Sequence, residues 1–378
     1  MNVLAVVRWP VGGIKTYLRY VYGHSVFESV KVTLLAPDYN VSNYFKDHIK
    51  SRGVVFKRSG ERVADLIVSL RNELKSGDYD IVHSHGFTAA LIAAPICHLY
   101  KMPHLITAHD IFLERQFIGL KGKLKYFVMR WVLERADRVH AVSIDAKINI
   151  CKFFPSIDKE KIEVVLHGID VDTFSNASPA RLRLEGGPEQ DNLFVFGFLG
   201  RFMAPKGFRT LIDAVDYIVK NDRATRPFCV ATFGWGGFIR EDYEQIEKLG
   251  IGQYFCQLSQ TDNVASAIKA LDAVVMPSRW EACGLLGMEV LTAGRPLIAS
   301  RCVGLREVIQ DTPALSFEVD NAEELAEHML YCMNNEGEQK ELAERYISQA
   351  KLRFCHGKAA KGLLAIYESM LKTPSLSY

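Results

Sequence analysis

Short apolar runs alternate with longer stretches whose apolar residues recur at helical spacing, and the rhythm carries through both halves of the chain. Such alternation predicts parallel βαβ units with helices on both faces of each sheet. In the first half, strands are expected at 2–7, 31–36, 80–84, 104–108, 138–143 and 162–166, with helices over 14–26, 62–75, 89–100 and 120–135. A polar stretch containing Gly and Pro then interrupts the pattern from 175 to 192 and reads as a linker. Strands resume at 194–199, 228–233, 254–257, 273–276, 296–299 and 314–318. The expected fold class is α/β, with two Rossmann-like, doubly wound parallel-sheet domains facing one another across a cleft. The domains are expected at 1–180 and 190–356, with a terminal helix over 357–378 packing back on the first.

Composition narrows the field. A chain of 378 residues suits two cores. With 46 Lys and Arg against 44 Asp and Glu, the net charge of +2 provides no general attraction to nucleic acid, which is not expected as a partner. The eight cysteines are scattered without a metal-binding spacing, which favours a reducing compartment over a disulfide scaffold. The first residues form an apolar strand rather than a leader, and no run reaches the roughly 18 apolar residues of a membrane span. A cytoplasmic location is expected.

Polar and glycine-rich clusters follow the predicted strands: Pro10 to Gly13, His83 to Gly86, His109-Asp110, Gly200-Arg201, Gly234 to Gly237 and Ser278 to Glu281. In open α/β sheets that edge binds ligands. Two carboxylates, Glu281 and Glu289, lie eight positions apart around the helix expected to open at Gly284. A helix start suits a phosphate, and carboxylates on either side of it can reach two polyols. A sugar joined to a nucleoside through a diphosphate has that layout. Arg201 and Lys206, five positions apart beside Gly200 and Gly207, can grip a diphosphate, although alone they read as a solvated basic loop. Gly12-Gly13 permits close backbone approach or simply a tight turn, and neither half carries the G-x-G-x-x-G of a dinucleotide fold. His83 and His85 share a strand face, and with His109 they make a weak metal candidate without characteristic spacing. On helix 119–135, Leu120, Leu124, Phe127 and Trp131 form an apolar stripe, which ordinarily packs on its own domain; the sharper reading is a membrane contact helped by Lys121 and Lys125.

Gly200-Arg201 with Lys206-Gly207, then Ser278-x-x-Glu281-x-x-Gly284 and Glu289, then Ala293-Gly294-x-Pro296, resemble the retaining GT-B glycosyltransferases of family 4. Gly12-Gly13, His109-Asp110 and His167-Gly168-Ile169-Asp170 match further landmarks of that family. The resemblance implies that Arg201, Lys206, Gly12, Gly13 and the backbone of Gly284, Leu285 and Leu286 bind the donor diphosphate. It further implies that Glu281 holds the donor sugar, Glu289 the ribose, and that His109 lies near the transferred sugar. It implies no metal and no cofactor beyond the nucleotide sugar, UDP- or GDP-linked, with the domain at 190–356 binding the donor and the domain at 1–180 binding a glycan, lipid-linked or lipopolysaccharide-type acceptor. A sugar-nucleotide 2-epimerase of the same fold and a non-catalytic sugar-nucleotide-binding subunit are the alternatives; a nicotinamide-dependent oxidoreductase lacks its glycine fingerprint.

Overall fold

The structure is a computed structural model that describes residues 1–39, 42–49, 53–182, 184, 192–259 and 261–372. The part of the expected linker at 183 and 185–191 and the end of the expected last helix, 373–378, lie outside the described residues.

The chain divides into two compact units. The first holds seven parallel strands: β1 (Asn2–Val7), β2 (Lys31–Pro37), β3 (Val54–Ser59), β4 (Ile81–His85), β5 (His104–Ala108), β6 (Arg138–Ala141) and β7 (Ile162–Val164), in the spatial order β3-β2-β1-β4-β5-β6-β7. The second holds six: β8 (Phe194–Leu199), β9 (Phe228–Phe233), β10 (Phe255–Leu258), β11 (Ala273–Met276), β12 (Leu297–Ser300) and β13 (Leu315–Phe317), in the order β10-β9-β8-β11-β12-β13. Each sheet reverses its winding direction once, between β1 and β4 and between β8 and β11. Helices diverge there, and a crevice opens outside the carboxyl ends of those two strands.

Side chains alternate across each sheet and supply a core on both faces. Val3, Ala5 and Val7 of β1 pack with Tyr17, Leu18 and Tyr22 on one side, whereas Leu4 and Val6 pack with Leu66, Leu70 and Ala93 on the other. In the second unit Phe194, Phe196, Phe198, Phe202, Phe208 and Phe228 fill one core. Each such buried side chain contributes about 1.5–3 kcal/mol against exposure.

Three features differ from the sequence expectation. Strand β3 was not anticipated: it lies at the sheet edge, where Val55, Lys57 and Arg58 face solvent, so its apolar run is broken. The first unit ends at Gly168 rather than near 180 and resumes at His356. The Ile169 N–H donates to the Phe354 carbonyl at 2.8 Å, and the Val171–Ser175 helix packs on the Leu285–Thr292 and Glu336–Phe354 helices, which ties this stretch to the second unit. The helix His356–Lys372 places Leu363, Ile366 and Tyr367 in the first unit's core, against the Gly13–Tyr22 helix. Finally, the stripe of the Gly119–Arg135 helix does not pack inward. Gly122, Met129, Val132 and Leu133 are its buried face, whereas Leu120 is 87%, Leu124 66% and Phe127 61% exposed.

Candidate active site

At the carboxyl end of β11, Pro277-Ser278 leads to Glu281, and Gly284 begins the helix Leu285–Thr292 with φ +49°, a left-handed conformation that glycine adopts without strain. The Lys206 ammonium donates to Glu281 Oε1 at 2.6 Å, and the Ser278 hydroxyl donates to the same oxygen at 2.8 Å. Among the described residues Glu281 Oε2 makes no hydrogen bond, and two of the three ammonium protons of Lys206 remain for another acceptor. The contact depends on glycines. A Cβ on Gly207, whose φ is +62°, would lie 1.8 Å from the Pro277 carbonyl oxygen, and one on Gly304 would lie 2.1 Å from that of Glu281.

Arg201 is exposed just beyond β8, on the far side of the same crevice. Leu285 and Leu286 begin the helix, so their backbone N–H groups lack intrahelical acceptors. Glu289 follows one turn later, partly covered. Burial pushes its carboxyl up to about 8, against the opposing attraction of Lys206. Thus Arg201, Lys206, Glu281, Gly284, Leu285, Leu286 and Glu289 all belong to one edge of the second sheet, and cations, carboxylates and helix N–H groups stand there together.

In the first unit, Gly12 and Gly13 are exposed at the carboxyl end of β1, where Gly12 caps the helix Gly13–Tyr22 at φ +57°. His109 follows β5, and its surroundings are an assembly the sequence did not reveal. His109 Nε2 meets His85 Nδ1 at 3.1 Å, and His85 Nε2 meets the Tyr22 hydroxyl at 2.8 Å. The Tyr22 and Tyr367 hydroxyls are 3.0 Å apart, and Tyr367 meets His83 Nδ1 at 2.6 Å. His83 Nε2 meets the Thr107 hydroxyl at 2.6 Å, Thr107 meets His140 Nδ1 at 3.0 Å, and His140 Nε2 reaches the Val165 carbonyl at 2.8 Å.

Burial holds all of these imidazoles neutral. Burial lowers His140 to about 4 against the opposing hydrogen bond to Val165, and His83, His85 and His109 fall well below the ordinary value, burial being the first cause and neighbouring histidines the second. A neutral imidazole has one N–H, and the Val165 carbonyl can only accept. His140 Nε2 therefore donates to Val165, and its Nδ1 accepts from Thr107. Thr107 accepts from His83 Nε2, and His83 Nδ1 accepts from Tyr367 at 2.6 Å or from Tyr22 at 3.1 Å. The other tyrosine then donates across the Tyr22–Tyr367 contact. Had Tyr22 donated to His85 instead, either the two hydroxyls would face each other at 3.0 Å without a proton or His83 Nδ1 would lack a donor. Consequently His85 Nε2 donates to Tyr22 and His109 Nε2 donates to His85 Nδ1. The histidines on both sides of the tyrosine pair are thereby oriented, and among the described residues His109 Nδ1 is left as a bare acceptor. His167 stacks on His109 with ring centroids 5.5 Å apart, and Tyr17 meets it edge-on at 4.9 Å. Among the described residues the Tyr17 hydroxyl and His167 Nδ1 are buried without a hydrogen-bond partner.

His83, His85 and His109 do come together, but through hydrogen bonds rather than around a vacancy. Among the described residues no group of three or more His, Cys, Asp or Glu side chains is placed to hold a metal ion.

Two family models match the chain, Glycosyltransferase Family 4 over residues 11–173 and Glycosyl transferases group 1 over residues 184–353. The chain belongs to the GT-B glycosyltransferases. Among relatives of this glycosyltransferase, an uncharacterized glycosyltransferase of Methanocaldococcus jannaschii is 24% identical over 95% of each chain. The D-inositol 3-phosphate glycosyltransferase of Corynebacterium kroppenstedtii is 26% identical over 78% of this chain and 68% of its own. The fold also matches Anabaena HepE, crystallised with UDP and glucose, at a TM-score of 0.82 and 19% identity, over 98% of this chain and 100% of that one.

The proton arrangement of the buried chain is directly measurable. Long-range proton–nitrogen NMR of the full-length protein at pH 7 is expected to show His109 protonated at Nε2 and bare at Nδ1. Substituting Tyr22→Phe, which interrupts the chain, is expected to leave a mixture of the two tautomers.

Proposed function

We propose that this glycosyltransferase moves a hexose from a UDP- or GDP-linked donor to a hydroxyl of a glycan, lipid-linked or lipopolysaccharide-type acceptor in cell-surface polysaccharide synthesis, with retention at the anomeric carbon. The observation that carries the donor reading is the Lys206–Glu281–Ser278 cluster beside the helix start at Gly284. The Anabaena protein's crystallisation with UDP and glucose supports UDP as the first donor nucleotide to test.

In this reading Arg201, Lys206 and the N–H groups of Leu285 and Leu286 take the diphosphate, with Gly12-Gly13 assigned to the same group by family resemblance. These donors offset the negative charge that develops on the leaving diphosphate, which stabilises departure of the nucleotide, and they stand in for a metal. Glu281 is fixed by Lys206 and Ser278 through one oxygen, so its other oxygen is free for a sugar hydroxyl. Glu289 takes the ribose. His109 accepts from a hydroxyl of the transferred sugar through Nδ1. The bond between the anomeric carbon and the diphosphate oxygen breaks as the acceptor oxygen bonds to that carbon on the same face. The acceptor's hydroxyl proton passes to the leaving diphosphate. No step requires a covalent sugar–enzyme intermediate.

The exposed face of the Gly119–Arg135 helix supports a peripheral contact with anionic membrane. Leu120, Leu124 and Phe127 form an uncovered row, with the exposed Lys121 and Lys125 on one side of it and Lys123 on the other. No helix among the described residues is long and apolar enough to cross a membrane.

Three outcomes check this reading. A panel of nucleoside diphosphates is expected to raise the melting temperature with one clear preference, and Lys206→Ala and Glu281→Ala to abolish sugar transfer; wild-type turnover in both variants would overturn the assignment. Affinity for the intact nucleotide sugar is expected to rise with pH toward 8, by up to about tenfold per unit, because the ribose-binding form of Glu289 is the ionised one. Glu289→Gln should flatten that slope. Co-sedimentation with phosphatidylglycerol vesicles is expected for the wild type and lost in the Lys121→Ala, Lys125→Ala double variant; a wild type that stays in solution ends the membrane reading.

A further inference from the structure

The first residue after β1 is a buried cation with no anion. Arg8 is 7% exposed, yet among the described residues no carboxylate lies within ion-pair distance of it. Its Nη1 donates to the Tyr39 hydroxyl at 2.8 Å, and its guanidinium carbon lies 4.2 Å from the centre of the Trp9 ring. Trp9 and Tyr39 stack with centroids 5.5 Å apart and planes 17° from parallel, and Trp9 remains 48% exposed. Aromatic groups thus fix the guanidinium from the side without neutralising it. Among the described residues only Nη1 is engaged, and the fork formed by Nε and Nη2, the geometry that grips two oxygens of one anion, has no partner there.

The surroundings do not supply the missing charge. Asp38, next to Tyr39, accepts from the backbone and hydroxyl of Ser42 and faces Arg58 at 3.9 Å. Lys15, two residues beyond the glycine pair, lies with its ammonium 4.1 Å from the centre of the Tyr44 ring, so the same loops present a second cation against an aromatic face. Burying a guanidinium without an anion is costly, and a neutral glutamine could hold Tyr39 in place without that cost. An arginine is warranted where an anion arrives from outside. The position is the carboxyl end of β1, at the point where the first sheet reverses its winding.

We propose that Arg8, held by Trp9 and Tyr39, is an acceptor subsite for an anionic group, a carboxylate or a phosphate, so that this glycosyltransferase extends a negatively charged glycan. The inference rests on the reading of the first unit as the acceptor-binding one. Calorimetric titration of the full-length protein with glucose, glucuronic acid and glucose 6-phosphate tests it, the two acids separating a carboxylate from a phosphate as the preferred group. At least one acid should bind ten or more times tighter than glucose. Arg8→Gln should erase that preference and Tyr39→Phe should keep it. The preference should also persist in Lys206→Ala, which removes a donor-site cation. Equal binding of all three sugars, no binding by any, a preference that survives Arg8→Gln, or one that vanishes in Lys206→Ala overturns the proposal. Should Arg8→Gln not fold, the Arg8 Nε resonance of the wild type decides: it shifts on addition of the preferred acid, and a stationary resonance overturns the proposal. Failure of nucleoside diphosphates to bind the wild type would instead strike the donor reading and leave this one standing.

Discussion

Parallel strands all end at the same edge of their sheet, and that constraint decides where chemistry can occur in both units. Interior strands here are covered on both faces and are largely apolar, the polar side chains they do carry, such as His83, Thr107 and His140, being hydrogen-bonded to one another, so most charged side chains are displaced to the loops after the last strand residue. The reversal of winding then selects two strands in each sheet whose following loops diverge and leave room for a ligand. Arg8, Trp9 and Gly12 follow one such strand and His85 ends another; Arg201 and Glu281 follow the equivalent pair in the second unit. The two units share a scaffold and have equipped it with different physics.

In the second unit the equipment is ionic. Lys206 and Glu281 hold one another in a contact that leaves each with capacity to spare, so the pair organises the crevice without consuming it. The first unit carries the opposite solution. Its histidines are buried and neutral, and their order comes from the direction of hydrogen bonds. A carbonyl on one side of the sheet determines which nitrogen of His109 is bare, several residues away, because no histidine of the chain can reverse without leaving a contact with a proton too many or too few, whichever of the two tyrosines donates to His83.

The candidate site of the second unit was legible in the sequence because its parts lie close together. Glu281, Gly284 and Glu289 occupy one strand–turn–helix passage, and Arg201 with Lys206 occupies another, so spacing and geometry coincide. The histidine chain was not legible for the converse reason. It draws on β4, β5 and β6, the Gly13–Tyr22 helix and the final helix, and no local spacing connects them. Tyr17, Tyr22 and Tyr367 sit in apolar stripes, where a tyrosine reads as core and its hydroxyl leaves no trace. Periodicity likewise identified the Leu120–Leu124–Phe127 row but not what covers it, since a repeat of 3.6 defines a face and not its partner. Strand β3 escaped because an edge strand need be apolar on only part of its surface.

Tyr367 sits eleven residues into the helix that begins at His356, beyond the whole of the second unit, yet it joins a hydrogen-bond chain with Tyr22 and His83 of the first. During synthesis the first unit can form its sheet early but cannot complete its interior until the second unit and this helix have left the ribosome. At roughly 5–20 residues per second, the intervening 187 residues of the second unit impose a delay of about 10–40 seconds. Through that interval Tyr22 and His83 wait without their partner, and the surface that receives Leu363 and Ile366 stays open. The protein is thus arranged so that an interrupted chain, however well its second unit folds, lacks an ordered histidine at the other end.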